Sequence, residues 1–92
     1  MQTLKLLVEG RVQGVGFRHF IYKNAKRLSL KGYVTNLDNG KVEIVITGEE
    51  DKLSEMIKIT RKGPSFSWVY NIQFFSIDEN LKGNYDDFQI IY

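Results

Sequence analysis

The chain has no cysteine, one histidine and one proline among its 92 residues. The missing thiols exclude disulfides, thiolate nucleophiles, iron–sulfur clusters and zinc sites built on cysteine. A single histidine also excludes metal sites that need several imidazoles. These absences leave a reducing compartment, the cytoplasm, as the expected location.

Long apolar runs and a strong charge of one sign are absent as well. No apolar stretch approaches the ~18–20 residues of a membrane span, and the N-terminus lacks the basic and apolar regions of a signal peptide. Thirteen Lys and Arg residues face 11 Asp and Glu residues, which gives a formal net charge of +2. This balance does not call for nucleic acid or an anionic membrane as a partner, and we expect neither.

The composition that remains is globular, with 42% hydrophobic and 13% aromatic residues. Two separate cores would not fit in a chain of this length. We therefore expect residues 1–92 to form a single domain, and we separately expect a monomer.

Two kinds of hydrophobic periodicity alternate along the chain. Apolar residues three or four positions apart predict one helix from Phe17 to Leu28 and a second from Glu49 to Lys62. Gly32 is expected to mark the exit from the first helix. Alternation of apolar and polar residues predicts strands over residues 3–11, 32–37, 41–47, 67–77 and 88–92, with a polar turn over 79–84.

The order of these elements is β-α-β-β-α-β followed by a short strand. This order predicts a ferredoxin-like α/β sandwich of the α+β class, with an antiparallel sheet and both helices on one face. Asn39-Gly40 predicts a hairpin turn, because both residues tolerate positive φ, and Asp38 is expected to shape that turn through its side chain.

The segment that joins the first strand to the first helix, residues 10–18 (GRVQGVGFR), contains the strongest functional signal. Glycines at a helix entry allow tight curvature, so that successive N–H groups face one concavity and bind an anion with the helix dipole. Arg18 would add a planar fork that matches phosphate or carboxylate oxygens. The segment lacks the Gly-Lys-Ser/Thr of a Walker loop and the third glycine of a dinucleotide fingerprint. From glycine spacing alone, a tight connection with a solvated arginine remains the simpler interpretation.

The same segment resembles the first signature of the acylphosphatase family. Residues 32–43 (GYVTNLDNGKVE) resemble the second signature, in the expected order and at the expected separation. Weaker similarities lie at residues 62–64 and 88–92. Tyr33 and Thr35 depart from the family pattern, which often has a tryptophan and a basic residue there. The resemblance implies hydrolysis of acyl phosphates to carboxylate and inorganic phosphate, without a metal or another cofactor.

The resemblance also implies roles for individual residues. Arg18 and the backbone N–H groups of the loop would bind the phosphoryl oxygens, and Asn36 would hold and orient the attacking water. Phosphoryl transfer needs mainly positioning and charge stabilisation, which a neutral amide and a guanidinium can supply. The implied phosphate-binding loop comprises Gln13, Gly14, Val15, Gly16, Phe17 and Arg18.

Several other residues have simpler interpretations. His19 lies about 100° from Arg18 around a helix, and we expect it to face solvent rather than to act as a base. The acidic run 49–51 suits a helix start better than a metal site. The residues Trp68, Tyr70, Ile72 and Phe74 are expected on one side of a strand, in the core or on the more exposed sheet face.

Two alternative functions remain open from the sequence. An anion-sensing domain could use the same loop without turnover. A single-stranded RNA-binding module shares the order of elements, but it needs an aromatic pair on adjacent central strands and a basic groove.

Overall fold

The computed structural model describes residues 1–77 and 85–92. Each predicted helix and strand is present, with small differences at the ends, and the predicted polar turn over 79–84 lies outside the described residues. The elements are β1 (Gln2–Arg11), α1 (Phe17–Arg27), β2 (Lys31–Asn36), β3 (Val42–Gly48), α2 (Glu50–Lys62), β4 (Trp68–Ser76) and β5 (Phe88–Ile91).

The five strands form one sheet in the order β4-β1-β3-β2-β5. β1 runs antiparallel to β3 and β4, and β2 runs antiparallel to β3. The prediction of an antiparallel sheet is wrong at one edge, where β5 pairs parallel with β2. β4 and β5 form the two edges of the sheet. β1, β2 and β5 run in one direction, and β3 and β4 run in the other. The C-terminal ends of β1, β2 and β5 therefore lie at one end of the sheet.

Both helices pack on one face of this sheet, as predicted. α1 buries the face that contains Phe17, Ile21 and Ala25, and α2 buries Leu53 and Met56. Burial of a large apolar side chain stabilises the fold by roughly 1.5–3 kcal/mol, so these two faces fix the helices to the sheet. Their partners in the core are the strand residues Leu6, Val8, Val34, Val42, Ile44, Ile46, Ile72 and Phe88.

The end of α1 differs from the prediction that placed its exit at Gly32. Ser29 takes the left-handed conformation with φ 58°, and the N–H of Leu30 donates to the carbonyl of Ala25 at 2.9 Å. This pattern is a Schellman motif built on serine instead of glycine. Gly32 lies within β2, where a Cβ would stand 1.9 Å from the carbonyl oxygen of Val45. Close approach of β3, not helix termination, explains that glycine.

The hairpin between β2 and β3 is present, but its turn differs from the prediction. The N–H of Leu37 donates to the carbonyl of Lys41 at 2.9 Å, which leaves a three-residue turn. Within that turn only Gly40 has positive φ, at 91°. The side-chain acceptor is Asn39, whose Oδ1 takes the N–H of Lys41 at 3.0 Å, so the role expected of Asp38 belongs to Asn39. A turn closed by one left-handed glycine is the common three-residue alternative to the two-residue Asn-Gly turn.

The four residues Trp68, Tyr70, Ile72 and Phe74 of β4 do not share one environment, contrary to expectation. The pairing with β1 shifts between Glu9 and Gly10 and leaves Tyr70 without a partner. Trp68 and Tyr70 are each 71% exposed, whereas Ile72 is 8% exposed and belongs to the core. The irregular pairing interrupts the strand alternation on which the prediction rested. These exposed aromatics lie on an edge strand, not on the adjacent central strands that RNA-binding modules use.

Candidate active site

The loop between β1 and α1 is anchored at both ends by the core. Val12 and Phe17 are each 1% exposed, and between them Gly14 and Gly16 have φ values of 76° and 79°. A Cβ at either glycine would meet no atom within 4 Å, so the backbone conformation, not a lack of space, requires glycine. Left-handed residues in alternate positions curve a backbone so that successive N–H groups face one side.

The N-terminus of α1 has no acidic side chain of its own. Gly16 is the N-cap and supplies no capping hydrogen bond from a side chain, and the first turn contains no Asp or Glu. The first helical bond runs from the N–H of Phe20 to the carbonyl of Gly16 at 3.1 Å. The earlier N–H groups and the positive end of the helix dipole are therefore available to an anion.

A pocket of about 140 Å³ lies at this helix end, where β1, β2 and β5 also terminate. Arg18 lines it from α1 and Asn36 lines it from the end of β2, so the two residues that the resemblance singled out meet in one cavity. None of the described residues that line the pocket has a carboxylate side chain, which favours an anionic ligand. The lining consists of Val12, Gly14, Gly16, Phe17, Arg18, His19, Asn36, Ile90 and Tyr92.

The guanidinium of Arg18 packs against an aromatic ring. The central carbon of the guanidinium lies 4.8 Å from the ring centroid of Tyr92, a residue that is 91% exposed. Such a cation–π contact is worth about 0.5–1 kcal/mol at exposed sites, and it occupies the face of the guanidinium. The N–H groups at the edge of the guanidinium stay suited to a pair of oxygens.

Asn36, which lines the pocket, contains an unpaired acceptor. Its Oδ1 is buried and has no hydrogen-bond partner within residues 1–77 and 85–92. An unsatisfied buried polar atom costs about 1–3 kcal/mol, so this oxygen lacks the hydrogen bond that a buried acceptor ordinarily has. The end of β2 is tied to β5 by Thr35, whose Oγ1 donates to the carbonyl of Ile91 at 2.8 Å.

The predicted loop residues divide into two groups. Gly14, Gly16 and Phe17 line the pocket together with Arg18, whereas Gln13 and Val15 are not among its lining residues. The side chain of Gln13 is directed to the β2–β3 hairpin, where Nε2 donates to the carbonyl oxygens of Leu37 and Lys41, each at 2.9 Å. Val15 packs against the hydrophobic core.

His19 is exposed, as expected, but it also lines the pocket, which its angle from Arg18 did not predict. Its ring stacks on Tyr22 with centroids 6.1 Å apart. Ile90 and Tyr92 also line the pocket, although no motif in the sequence indicated them. The signal that could have found them is the direction of the last strand, because only a parallel β5 ends beside Asn36.

No acidic residue of the described parts of the chain lines this pocket. Glu50 and Asp51 lie in the first turn of α2, as the helix-start interpretation predicts. In the part of the chain that the structure describes, no three or more His, Asp or Glu side chains are grouped as a metal site would need.

The fold and the pocket together define a ferredoxin-like α+β sandwich with a small anion-suited cavity at a strand–helix junction. The sequence model of the acylphosphatase family matches residues 4–90. The chain is 45% identical over 92 residues to the acylphosphatase of Thermotoga petrophila, with 100% of this chain and 99% of that protein covered. The crystal structure of acylphosphatase from Bacillus subtilis superposes with a TM-score of 0.93 at 36% identity, and both chains are covered completely. An acylphosphatase structure from Coxiella burnetii gives 0.89 at 34% identity, over 98% of this chain and 92% of that one.

The chain therefore belongs to the acylphosphatase family. It is an enzyme that hydrolyses acyl phosphates, small molecules in which a carboxyl group is joined to phosphate. The family resemblance and the ferredoxin-like fold expected from the sequence are both confirmed. The anion-sensing and RNA-binding alternatives receive no support from these relatives.

Proposed function

We propose that the pocket at the β1–α1 junction is the active site of this acylphosphatase. The loop from Gln13 to Phe17 and the guanidinium of Arg18 hold the phosphoryl group, and Asn36 holds the attacking water. The observation that supports this assignment most directly is the shared pocket: Arg18 and Asn36 line one cavity, and Oδ1 of Asn36 is a buried acceptor without a partner in the described chain.

Charge and geometry favour binding of the phosphoryl group by the loop. The N–H groups at the start of α1 and the positive end of its dipole attract an anion, and Arg18 matches two oxygens with its fork. Each hydrogen bond to a charged group contributes about 1.5–3 kcal/mol, so several together bind a small dianion. The same donors stabilise the charge on the equatorial oxygens as the transition state forms.

The carboxamide of Asn36 acts on the water by orientation. It is neutral and cannot take a proton, but Oδ1 can accept one O–H of the water and fix its oxygen behind the phosphorus. The water oxygen forms a bond to phosphorus while the bond from phosphorus to the carboxyl oxygen breaks, and the carboxylate leaves with that electron pair. One proton of the water passes to a phosphate oxygen and the other stays on the oxygen now bound to phosphorus, so the products are a carboxylate and inorganic phosphate.

A leaving group of this kind makes few demands on the protein. A carboxylic acid has a pKa of about 4, so the carboxylate leaves without a proton donor. The N–H groups of the loop and the guanidinium of Arg18 stabilise the charge on the phosphoryl oxygens. The reaction accordingly proceeds without a metal ion or another cofactor.

The setting of the enzyme is also part of the proposal. Residues 1–92 act as one monomeric domain on small molecules, without nucleic acid or a membrane as partner, in the cytoplasm. The near balance of charges over the sequence supports the lack of a nucleic-acid partner. Neither described helix is long and apolar enough to cross a membrane. Analytical sedimentation at two protein concentrations tests the monomer, because a monomer gives the same molecular mass at both.

The reaction itself is tested by phosphate release from benzoyl phosphate in the presence of excess chelator, with p-nitrophenyl phosphate as the ester control. We expect full activity on the anhydride and little on the ester, because the ester has a poorer leaving group. If chelator abolishes hydrolysis of benzoyl phosphate and added Mg²⁺ restores it, the metal-independent mechanism is wrong.

A further inference from the structure

The side chain of Gln13 connects the loop to the hairpin across a long separation in sequence. Its Nε2 donates to the carbonyl oxygen of Leu37 at 2.9 Å and to that of Lys41, also at 2.9 Å. The two N–H groups of one carboxamide are thus both used, and both bonds are of good length. The loop that precedes α1 and the β2–β3 turn are held as one unit by a single side chain.

The two acceptors lie at the closing pair of the hairpin, next to the residue that we assign to the water. Leu37 directly follows Asn36, which pairs with Val42 at the end of the β2–β3 ladder. The N–H of Leu37 donates to the carbonyl of Lys41, so Gln13 bonds to both strands where they close the turn. Gln13 thereby fixes the backbone from which the Asn36 side chain extends.

A second contact holds the same turn from the other side. The ammonium of Lys41 lies 2.9 Å from Oε1 of Glu9 on β1. The bonds from Lys41 and Asn71 lower the pKa of Glu9. The turn is therefore already attached to the sheet without Gln13. What Gln13 adds is a direct connection between the turn and the phosphate-binding loop.

We propose that the side chain of Gln13 is a positioning residue that sets the location of Asn36, and so of the attacking water, relative to the phosphoryl group. The inference rests on the proposed roles of the loop and Asn36. In-line attack depends on placing the water within a fraction of an ångström, and a misplacement of about 1 Å can cost 10²-fold in rate. Glutamate in place of Gln13 could not donate to the two carbonyls, and methionine of similar length has no donor at all.

A purely structural role for these hydrogen bonds makes a different prediction. Their loss would then lower the stability of the fold, and any effect on kcat would be the same with and without Asn36. A double-mutant cycle separates the two roles, because residues that act through one another show non-additive effects. The cycle uses the full chain, Gln13→Met, Asn36→Ala and the double variant, with benzoyl phosphate as substrate.

We expect Asn36→Ala to lower kcat by about 10- to 100-fold, because the water loses its orientation. We expect Gln13→Met to lower kcat by about tenfold with Asn36 present, and by less than about twofold in the Asn36→Ala background. The inhibition constant of inorganic phosphate reports the loop itself, and it should stay within about threefold in Gln13→Met, because the loop amides and Arg18 remain.

Asn39→Ala is the matched control. It removes the hydrogen bond from the N–H of Lys41 to Oδ1 of Asn39, within the same turn, but it does not touch the loop. It should lower the melting temperature comparably to Gln13→Met and leave kcat at the parent value. If Gln13→Met does not fold, Gln13→Asn keeps the amide but shortens its reach, and the same cycle applies.

Two results would overturn the inference alone: a parent kcat in the Gln13 variant, or an equal loss of kcat with and without Asn36. A parent kcat in Asn36→Ala overturns the proposed function of that residue, and with it the role given to Gln13. Failure of the two proposals is therefore distinguishable.

Discussion

The N-termini of the two helices are alike in position and opposite in charge. Each helix follows a strand, packs on the same sheet face and ends in two basic residues. α2 begins at the N-cap Glu49 in extended conformation, and Glu50 and Asp51 fill its first turn. α1 begins at a left-handed Gly16 and has no acidic residue in its first turn. The fold needs the apolar face of each helix, but it does not dictate what neutralises the helix end.

If the proposed site is right, this difference separates a structural helix end from a binding one. Carboxylates near a helix N-terminus contribute about 0.3–1 kcal/mol each, and α2 obtains that stabilisation from its own residues. α1 has no such carboxylate in its first turn, and under the proposed function a bound anion takes that place. An account based on the dipole alone would give both ends the same role, so the side chains decide between them.

The largest effect should come from removing the charge at the α1 end. Arg18→Gln should reduce kcat/KM for benzoyl phosphate by at least ~10²-fold, because a preorganised donor to the phosphoryl oxygens is lost. Arg27→Gln makes the same change of charge in the last turn of the same helix and should keep the parent kcat/KM. Steady-state rates and melting curves of both variants are the measurement. Equal activity of Arg18→Gln and Arg27→Gln would contradict the role of Arg18.

A smaller effect is expected if the α1 end is made to resemble that of α2. His19 is exposed and lies in the first turn of α1, so His19→Glu places a carboxylate there. It should raise the inhibition constant of inorganic phosphate about tenfold, which corresponds to about 1.4 kcal/mol of repulsion. The same change should stabilise the helix, so the melting temperature should not fall.

The converse change in α2 is the control for that experiment. Glu50→Gln removes a carboxylate from the first turn of α2 and should lower stability by about 0.3–1 kcal/mol, with phosphate inhibition unchanged. His19→Gln, the neutral substitution, should bind phosphate like the parent. If His19→Glu and His19→Gln bind phosphate equally, no anion binds at this helix end.

The smallest effect concerns the C-terminal end of α1, where a basic side chain pairs with a carboxylate of the same chain. The ammonium of Lys26 in the last turn bonds to Asp87, and the carboxylate also accepts the N–H of Phe88 at 2.8 Å. These bonds, that from Lys26 above all, lower the pKa of Asp87. Its folded pKa is therefore below its unfolded value of about 3.9, so the stabilisation is present above that pH and is lost as the pH falls through the folded pKa.

Asp87→Asn should accordingly lower the melting temperature at pH 7 and make it less dependent on pH below about 4. The effect should be small, because exposed ion pairs are screened by water and salt. Asp86→Asn, which changes the neighbouring exposed carboxyl, should keep the pH dependence of the parent. If the melting temperatures of Asp87→Asn and the parent change equally with pH between pH 2 and 7, the stabilising role given to the Asp87 carboxylate is contradicted.

The sequence predicted those parts of the fold that depend on local pattern. The 3.6-residue periodicity located both helices, because the buried faces of Phe17 and Ile21 and of Leu53 and Met56 follow from it directly. The hairpin was located by Asn39-Gly40. The end of α1 was not predicted, since a serine adopts there the conformation that glycine usually takes.

The lining of the candidate site was predicted only in part, for a reason that lies in tertiary pairing. Arg18 and Asn36 were indicated by motifs, and the structure places both at one pocket. Ile90 and Tyr92 reach the pocket because β5 runs parallel to β2, a direction that the alternation of a short strand does not specify. The bonds of Gln13 join residues that are 24 and 28 positions apart, and no local pattern reports a contact of that range.

The most direct test of the central claim, that an anion binds at the end of α1 and not at that of α2, is a titration with inorganic phosphate followed by backbone amide NMR. We expect saturable shifts that are largest for residues 14–18, with a common dissociation constant, and only small shifts for residues 50–52. Saturable shifts of equal size at both helix ends, or none at residues 14–18, would contradict it.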